Sequence, residues 1–230
     1  MKIGVFDSGL GGLSVANAIT VAFPSEQVIY REDRQHLPYG TKTADELLRL
    51  VLPILQSMTD EGCEVIVIAC NTVTTTIIGE LRQKVAVPLV GIEPMVKPAA
   101  QHTKSGVIAV CATPATLASA RYKQLKEEFA ADIKVLEPDC SDWSEMIENN
   151  QINYHRVAER IESVCQNGAD TIVLGCTHYH WIEETIKHIA GDRAKVIQPE
   201  AAIVAQLKKV ITQMHEQTAP GSSFEPKHSL

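Results

Sequence analysis

Asp170-Thr-Ile-Val-Leu-Gly-Cys-Thr-His-Tyr-His180 sets the reading of the chain. Residues 171–174 are apolar or β-branched and read as a short buried strand. Gly175 ends the strand, Cys176 follows at once, and Thr177 and His178 put polar groups beside the sulfur. In an open α/β sheet, ligands bind just past the carboxyl ends of the strands. A cysteine at that edge with a neighbouring imidazole is placed for chemistry.

The pattern occurs once before. Glu64-Val-Ile-Val-Ile-Ala-Cys-Asn-Thr72 aligns on residues 170–178 without a gap, and Gly62 parallels Gly168. Cys70 and Cys176 therefore read as equivalent positions in two related halves. A duplicated α/β unit presents one sulfur from each half across a shared cleft.

Working outward, short apolar runs alternate with amphipathic ones. Strands are expected at 2–6, 27–30, 65–69 and 88–92, and again at 106–111, 134–136, 171–174 and 195–197. Helices are expected between them. The one beginning after Thr43 carries a capping box with Glu46, and Pro53 predicts a kink or break in it. Another is expected to run from the turn at 112–116 on to about Phe129. The alternation predicts α/β architecture, with two pseudo-symmetric parallel-sheet domains and the active site in the cleft between them. The first domain takes residues 1–95 plus about 200–217, and the second takes 96–199, with a hinge at residues 93–98. Residues 218–230 read as a disordered tail.

Composition narrows the function. The chain has 230 residues, 45% of them hydrophobic, and a net charge of −7. No basic run suits a nucleic-acid groove. No apolar run spans a membrane, and the N-terminus does not read as a signal peptide. A cytoplasmic protein is expected. Its six cysteines, dispersed in apolar stretches, read as reduced thiols.

Three chemistries compete. Gly9-Leu-Gly-Gly-Leu-Ser14, with Glu32 and Asp33 after the next strand, partly fits a dinucleotide fingerprint. It ends in serine, follows an aspartate, and leaves the cysteine pair unexplained. Cys176, His178 and His180 alternate and could face one way on an extended chain, as zinc ligands would. No Cys-x-x-Cys accompanies them, so no metal is assigned. The third is two-base proton transfer, in which a thiolate removes an α-proton and a thiol on the opposite face returns one. Cys70 and Cys176 are then the acid/base pair, and Asp7 and His178 assist. Ser8, Asn71, Thr72, Thr113, Thr116 and Thr177 hold the substrate. Asp7, Ser8, Thr113 and Thr116 also suit plain turn and cap roles. Trp143 and Trp181 read as packing residues.

At Asp7-Ser-Gly-Leu-Gly-Gly12, Pro38-Tyr-Gly40, Ala69-Cys-Asn-Thr72, Thr113-Pro-Ala-Thr116 and Gly175-Cys-Thr-His-Tyr179 the chain closely resembles the glutamate racemases. The five pieces stand in the family order. The resemblance implies cofactor-independent interconversion of L- and D-glutamate, supplying D-glutamate for peptidoglycan. It implies Cys176 acting on L-glutamate and Cys70 on D-glutamate, with neither pyridoxal phosphate nor metal, and a homodimer. It adds Pro38, Tyr39 and Gly40 to the substrate-binding residues and Glu148 as an assisting acid, with Glu145 as competitor. The chain departs from the family at His180, at His36-Leu37 and across residues 141–150. An aspartate racemase, or a non-catalytic relative that binds an amino acid or a protein, stays open.

Overall fold

The computed structural model describes residues 1–218. The tail expected from 218 onward lies, but for its first residue, outside the described residues.

Among the described residues, eight strands form two parallel sheets of four. The first holds β1 (Lys2–Asp7), β2 (Gln27–Glu32), β3 (Val65–Ile68) and β4 (Leu89–Gly91) in the order β2-β1-β3-β4. The second holds β5 (Val107–Cys111), β6 (Lys134–Leu136), β7 (Thr171–Leu174) and β8 (Lys195–Ile197) in the order β6-β5-β7-β8. The orders are the same, so β3 and β7 are equivalent central strands. Each ends immediately before its cysteine turn, beside β1 (Phe6 opposite Ile68) or β5 (Cys111 opposite Leu174).

The first sheet is buried on both faces because its strands alternate two apolar sets. Phe6, Ile66 and Ile68 pack on Leu47, Val51, Leu55 and Met58 of α2 (Ala44–Asp60) and on Ile77 and Leu81 of α3 (Asn71–Lys84). Ile3, Val5, Val65 and Val67 face Val15 and Ile19 of α1 (Leu13–Ala22) and Ile203, Leu207 and Ile211 of a distant helix. Fully burying each such side chain contributes about 1.5–3 kcal/mol. The second sheet repeats the plan. Val96 and Ala99 of α4 (Val96–His102) cover one face, with Tyr122 and Leu125 of α6 (Ala120–Phe129). Val157 and Ile161 of α8 (Tyr154–Gln166) and Ile186 of α9 (Glu183–Ala190) cover the other. Two short helices, α5 (Pro114–Ala118) and α7 (Trp143–Glu148), stand at the cleft. The distant helix, α10 (Glu200–Thr218), follows β8 yet packs on the first sheet, so the chain crosses back.

Three local expectations change. Helix α2 runs unbroken through Pro53, with the Thr43–Glu46 capping box in place. Pro53 and Arg49 are both exposed, so water can satisfy the carbonyl that loses its amide partner. The helix expected through to Phe129 is split at Ser119, which is extended and caps α6 by accepting from the Tyr122 N–H. The hinge expected at 93–98 is partly helical, because α4 begins at Val96.

Candidate active site

Each sulfur sits at the end of a central strand. Cys70 is the N-cap of α3. Cys176 precedes a tight 3-10 turn, Thr177–Ile182. The two face one cavity of about 120 Å³, walled by the Pro38–Thr41 loop, Thr72, Thr113, Ser144 and His178, among others. A wider groove of about 670 Å³ lies between α3, β4, α6 and α10 and contains none of these groups.

The sulfurs differ in their surroundings. The Cys70 thiol is buried and donates to Ser8 Oγ at 3.6 Å. Burial, then the nearby Asp7 carboxylate, push its pKa up to about 12, so at neutral pH it is a proton donor. Cys176 Sγ lies 3.7 Å from His178 Nδ1 and 3.5 Å from Ser144 Oγ. Burial opposes charge on His178, but hydrogen bonds to Cys176 and Glu148 outweigh it and hold the imidazole pKa near 11. Both ring nitrogens then carry protons, with Nδ1–H aimed at the sulfur and Nε2–H at Glu148 Oε1, 2.6 Å away.

Glu148 stands at the boundary of the halves. Besides His178 it accepts from the Leu10 N–H at 2.8 Å and from Arg34 Nε at 3.1 Å. Burial alone would raise its pKa, yet the His178 and Leu10 hydrogen bonds bring it below the usual carboxylate range. Of the two acids weighed from sequence, Glu148 meets His178, while Glu145 is exposed at the cavity rim.

Asp7 is fully buried. Its Oδ2 accepts from the Gly12 N–H at 2.7 Å, and Thr177 Oγ1 donates to it across the cleft at 3.2 Å. Burial raises its pKa against the pull of His178 and the Ser8, Gly12 and Gly9 amides. Asp7 thus ties its own turn and faces the opposite half.

The glycine loop is packed, not open to a pyrophosphate. A Cβ on Gly11 would lie 2.5 Å from the His178 backbone nitrogen, and one on Gly9 would collide with Glu148. Those glycines let the Cys176 turn close on the first half, which accounts for them without a dinucleotide. The metal arrangement also fails. The chain coils after Cys176, and His180 turns outward to Gln198 Oε1 at 3.0 Å.

The hydroxyl residues form a bridge. Thr113 donates to Thr116 Oγ1 at 3.0 Å, so Thr72 is the donor in the 3.1 Å contact to Thr113 that spans the halves. Thr116 is wholly buried behind Thr113 and off the cavity wall. Tyr39 OH donates to Asp33 Oδ2 at 2.6 Å, and His36 Nδ1 lies 2.7 Å from Asp33 Oδ1, which fixes the Pro38–Tyr39–Gly40 wall. Asn71 is buried, lines the cavity, and has neither side-chain amide atom paired. It is a buried orphan donor and acceptor beside the cavity. Trp143 is wholly buried edge-on to Tyr179 at 5.0 Å, whereas Trp181 is 54% exposed and does not serve as core packing. Ser144 and Arg34 were not singled out from sequence. Ser144 lies in the divergent 141–150 stretch, and Arg34 reaches Glu148 only through the fold.

Two like α/β halves, with a thiol from each at one enclosed cleft, define a protein of the racemase class. The chain belongs to the Asp/Glu/Hydantoin racemase family, which it matches over residues 16–207. Its relatives include the glutamate racemase of Ralstonia pickettii, 40% identical over 91% of this chain and 76% of that one. The crystal structure of Escherichia coli glutamate racemase in complex with L-glutamate superposes with a TM-score of 0.81 at 28% identity, over 96% of this chain and 84% of that one. That of the Francisella tularensis enzyme with D-glutamate gives 0.76 at 28% identity, over 93% and 82%.

Proposed function

We propose that this chain is a glutamate racemase that moves the α-proton between its two cysteines. The observation that carries the reading is a sulfur from each half on one cavity, Cys70 bonded to Ser8 and Cys176 beside His178 and Ser144. In the L-to-D direction Cys176 is the base. The Cys176 thiolate takes the α-proton and becomes a thiol. The Cys70 thiol delivers its proton to the opposite face, leaving a thiolate and D-glutamate. The reverse reaction starts from the other protonation state. His178 supports the thiolate form of Cys176, Glu148 helps keep His178 charged, and Asp7 favours the thiol form of Cys70.

Asn71, with its unpaired amide, and the hydroxyls of Ser8, Thr72, Thr113 and Thr177 are the groups we assign to the substrate's carboxylates and amino group. Pro38, Tyr39 and Gly40 wall it in, and Thr116 acts by orienting Thr113. The glutamate racemase relatives and the two glutamate complexes favour glutamate over aspartate. The same reading takes residues 1–95 with 200–217 as one domain and 96–199 as the other, supported by the packing of α10 on the first sheet. It carries with it D-glutamate supply for peptidoglycan, a cytoplasmic location and a homodimer, as the family resemblance implies.

The test is to incubate the purified protein with L-glutamate, and separately with L-aspartate, without added cofactor, and to follow loss of optical activity. Loss with glutamate alone agrees with the proposal. Loss with aspartate alone replaces the substrate, and loss with neither overturns the catalytic reading.

A further inference from the structure

The two halves supply hydroxyls to their sulfurs in different ways. In the first, the partner of Cys70 is Ser8, from the turn after β1. The equivalent turn after β5 holds Ala112 and Thr113, and the Thr113 hydroxyl is committed to Thr116 and Thr72. In the second half the hydroxyl at the symmetric position is thus bonded elsewhere and not to Cys176. Ser144, on α7, fills the gap with Oγ 3.5 Å from Cys176 Sγ.

Its placement is enforced. Trp143 is wholly buried beside it, and Ile147 anchors the next turn in the same core. Tyr179 OH and the Trp143 backbone N–H both donate to the Cys140 carbonyl, at 2.9 and 3.2 Å. The backbone carbonyl one turn behind Ser144 is thus already engaged. Ser144 also lines the cavity with Cys176. His178 Nδ1 supplies one donor to the same sulfur at 3.7 Å. A thiolate is a diffuse anion that accepts several donors, and a hydrogen bond to the charged form favours it.

We propose that Ser144 is a further catalytic residue: its hydroxyl donates to Cys176 Sγ while that sulfur is the thiolate taking the substrate's α-proton. Once the proton has moved, the S–H can donate to Ser144 Oγ instead, so the pair stays bonded in both states. The proposal rests on the reading of Cys176 as a proton-transfer thiol. The titratable groups around this sulfur are His178, Tyr179 and Cys70, with Asp7 and Glu148 acting on His178. Glu145 stands on the cavity rim from α7.

Ser144→Thr and Ser144→Val differ only in the hydroxyl at equal bulk, so a packing defect affects both. In the full chain, the pH midpoint of iodoacetamide alkylation is read separately at Cys176 and Cys70 by peptide mass mapping. The hydroxyl's loss in Ser144→Val is expected to move the Cys176 midpoint up by about one pH unit, a tenfold change. Ser144→Thr stays close to the parent, and Cys70 does not move. Racemisation is expected to fall about tenfold in kcat/KM for Ser144→Val. Both directions fall alike, since the equilibrium constant between enantiomers is one. Equal midpoints for the Thr and Val variants, or equal movement at both cysteines, would overturn the proposal. Alkylation needs no turnover, so this result is separable from failure of the racemase reading, which shows as an inactive parent protein.

Discussion

Glu148 Oε1 and His178 Nε2 lie 2.6 Å apart within the second half, and the same oxygen accepts the Leu10 N–H from the other half. One carboxylate thus adds to the Cys176 hydrogen bond in holding the imidazole charged, and pins the glycine loop of the first half. Replacing it with Gln removes the charge but keeps the shape. Glu148→Gln is expected to lower kcat/KM by about 10²-fold. The high-pH limb of its profile should also move to lower pH, because the His178 proton is then held less tightly. Rate profiles from pH 6 to 10 check both.

The His178 shift makes a stability prediction of definite sign. The pKa is raised from 6.5 to about 11 in the folded chain. The stabilisation is therefore complete below about pH 6.5 and is lost as pH rises towards 11. Glu148, whose pKa is lowered from 4.5, contributes above that value and loses its contribution in acid. The stability advantage of the parent over His178→Gln should peak between about pH 4.5 and 6.5 and shrink steadily at higher pH. Urea unfolding of both proteins at pH 5.5, 7.5 and 9.5 measures it, and a gap that widens with pH contradicts the assignment.

Gly11 faces backbone rather than a side-chain tip. An added Cβ would meet the His178 nitrogen at 2.5 Å and the Thr177 carbonyl carbon at 2.6 Å, neither of which can swing aside. Gly11→Ala is expected to cost about 1–3 kcal/mol by overpacking. It should also lower activity by pushing the Cys176 turn away from the first half. Denaturation midpoints and kcat/KM read the two effects.

Trp143 holds α7 against the second sheet, edge-on to Tyr179 and wholly buried. Trp143→Ala should destabilise the protein by about 3–5 kcal/mol. Trp143→Phe keeps most of the burial, and its indole N–H has no partner to lose. A thermal melt of the Phe variant close to the parent, with the Ala variant well below it, is the expected result.

Much of this architecture was written in local pattern. The repeat of strand, small residue, cysteine and polar pair located both central strands and both sulfurs. The capping box at Thr43 and Glu46 marked the start of α2. Features that depend on which side of an element meets water were not legible. Pro53 is accommodated because it faces solvent, and His180 leaves the zinc arrangement because the chain coils after Cys176. The glycine loop resembled a phosphate cradle because close approach to a cofactor and close approach to a neighbouring backbone both require glycine. Arg34 and Ser144 come to the site from loops and helices far from either cysteine in sequence, and no repeat marks them.

The most direct test of the two-thiol account is the position of solvent deuterium early in the reaction. L-glutamate is incubated in deuterated water with the parent protein and with Cys70→Ala and Cys176→Ala. The enantiomers are separated at low conversion and weighed for α-deuterium. Two bases on opposite faces predict D-glutamate carrying deuterium while the remaining L-glutamate keeps its protium. They also predict that racemisation falls by about 10² to 10⁴-fold in each variant. Deuterium appearing equally in both enantiomers from the first turnovers, or undiminished racemisation in either variant, would contradict the account.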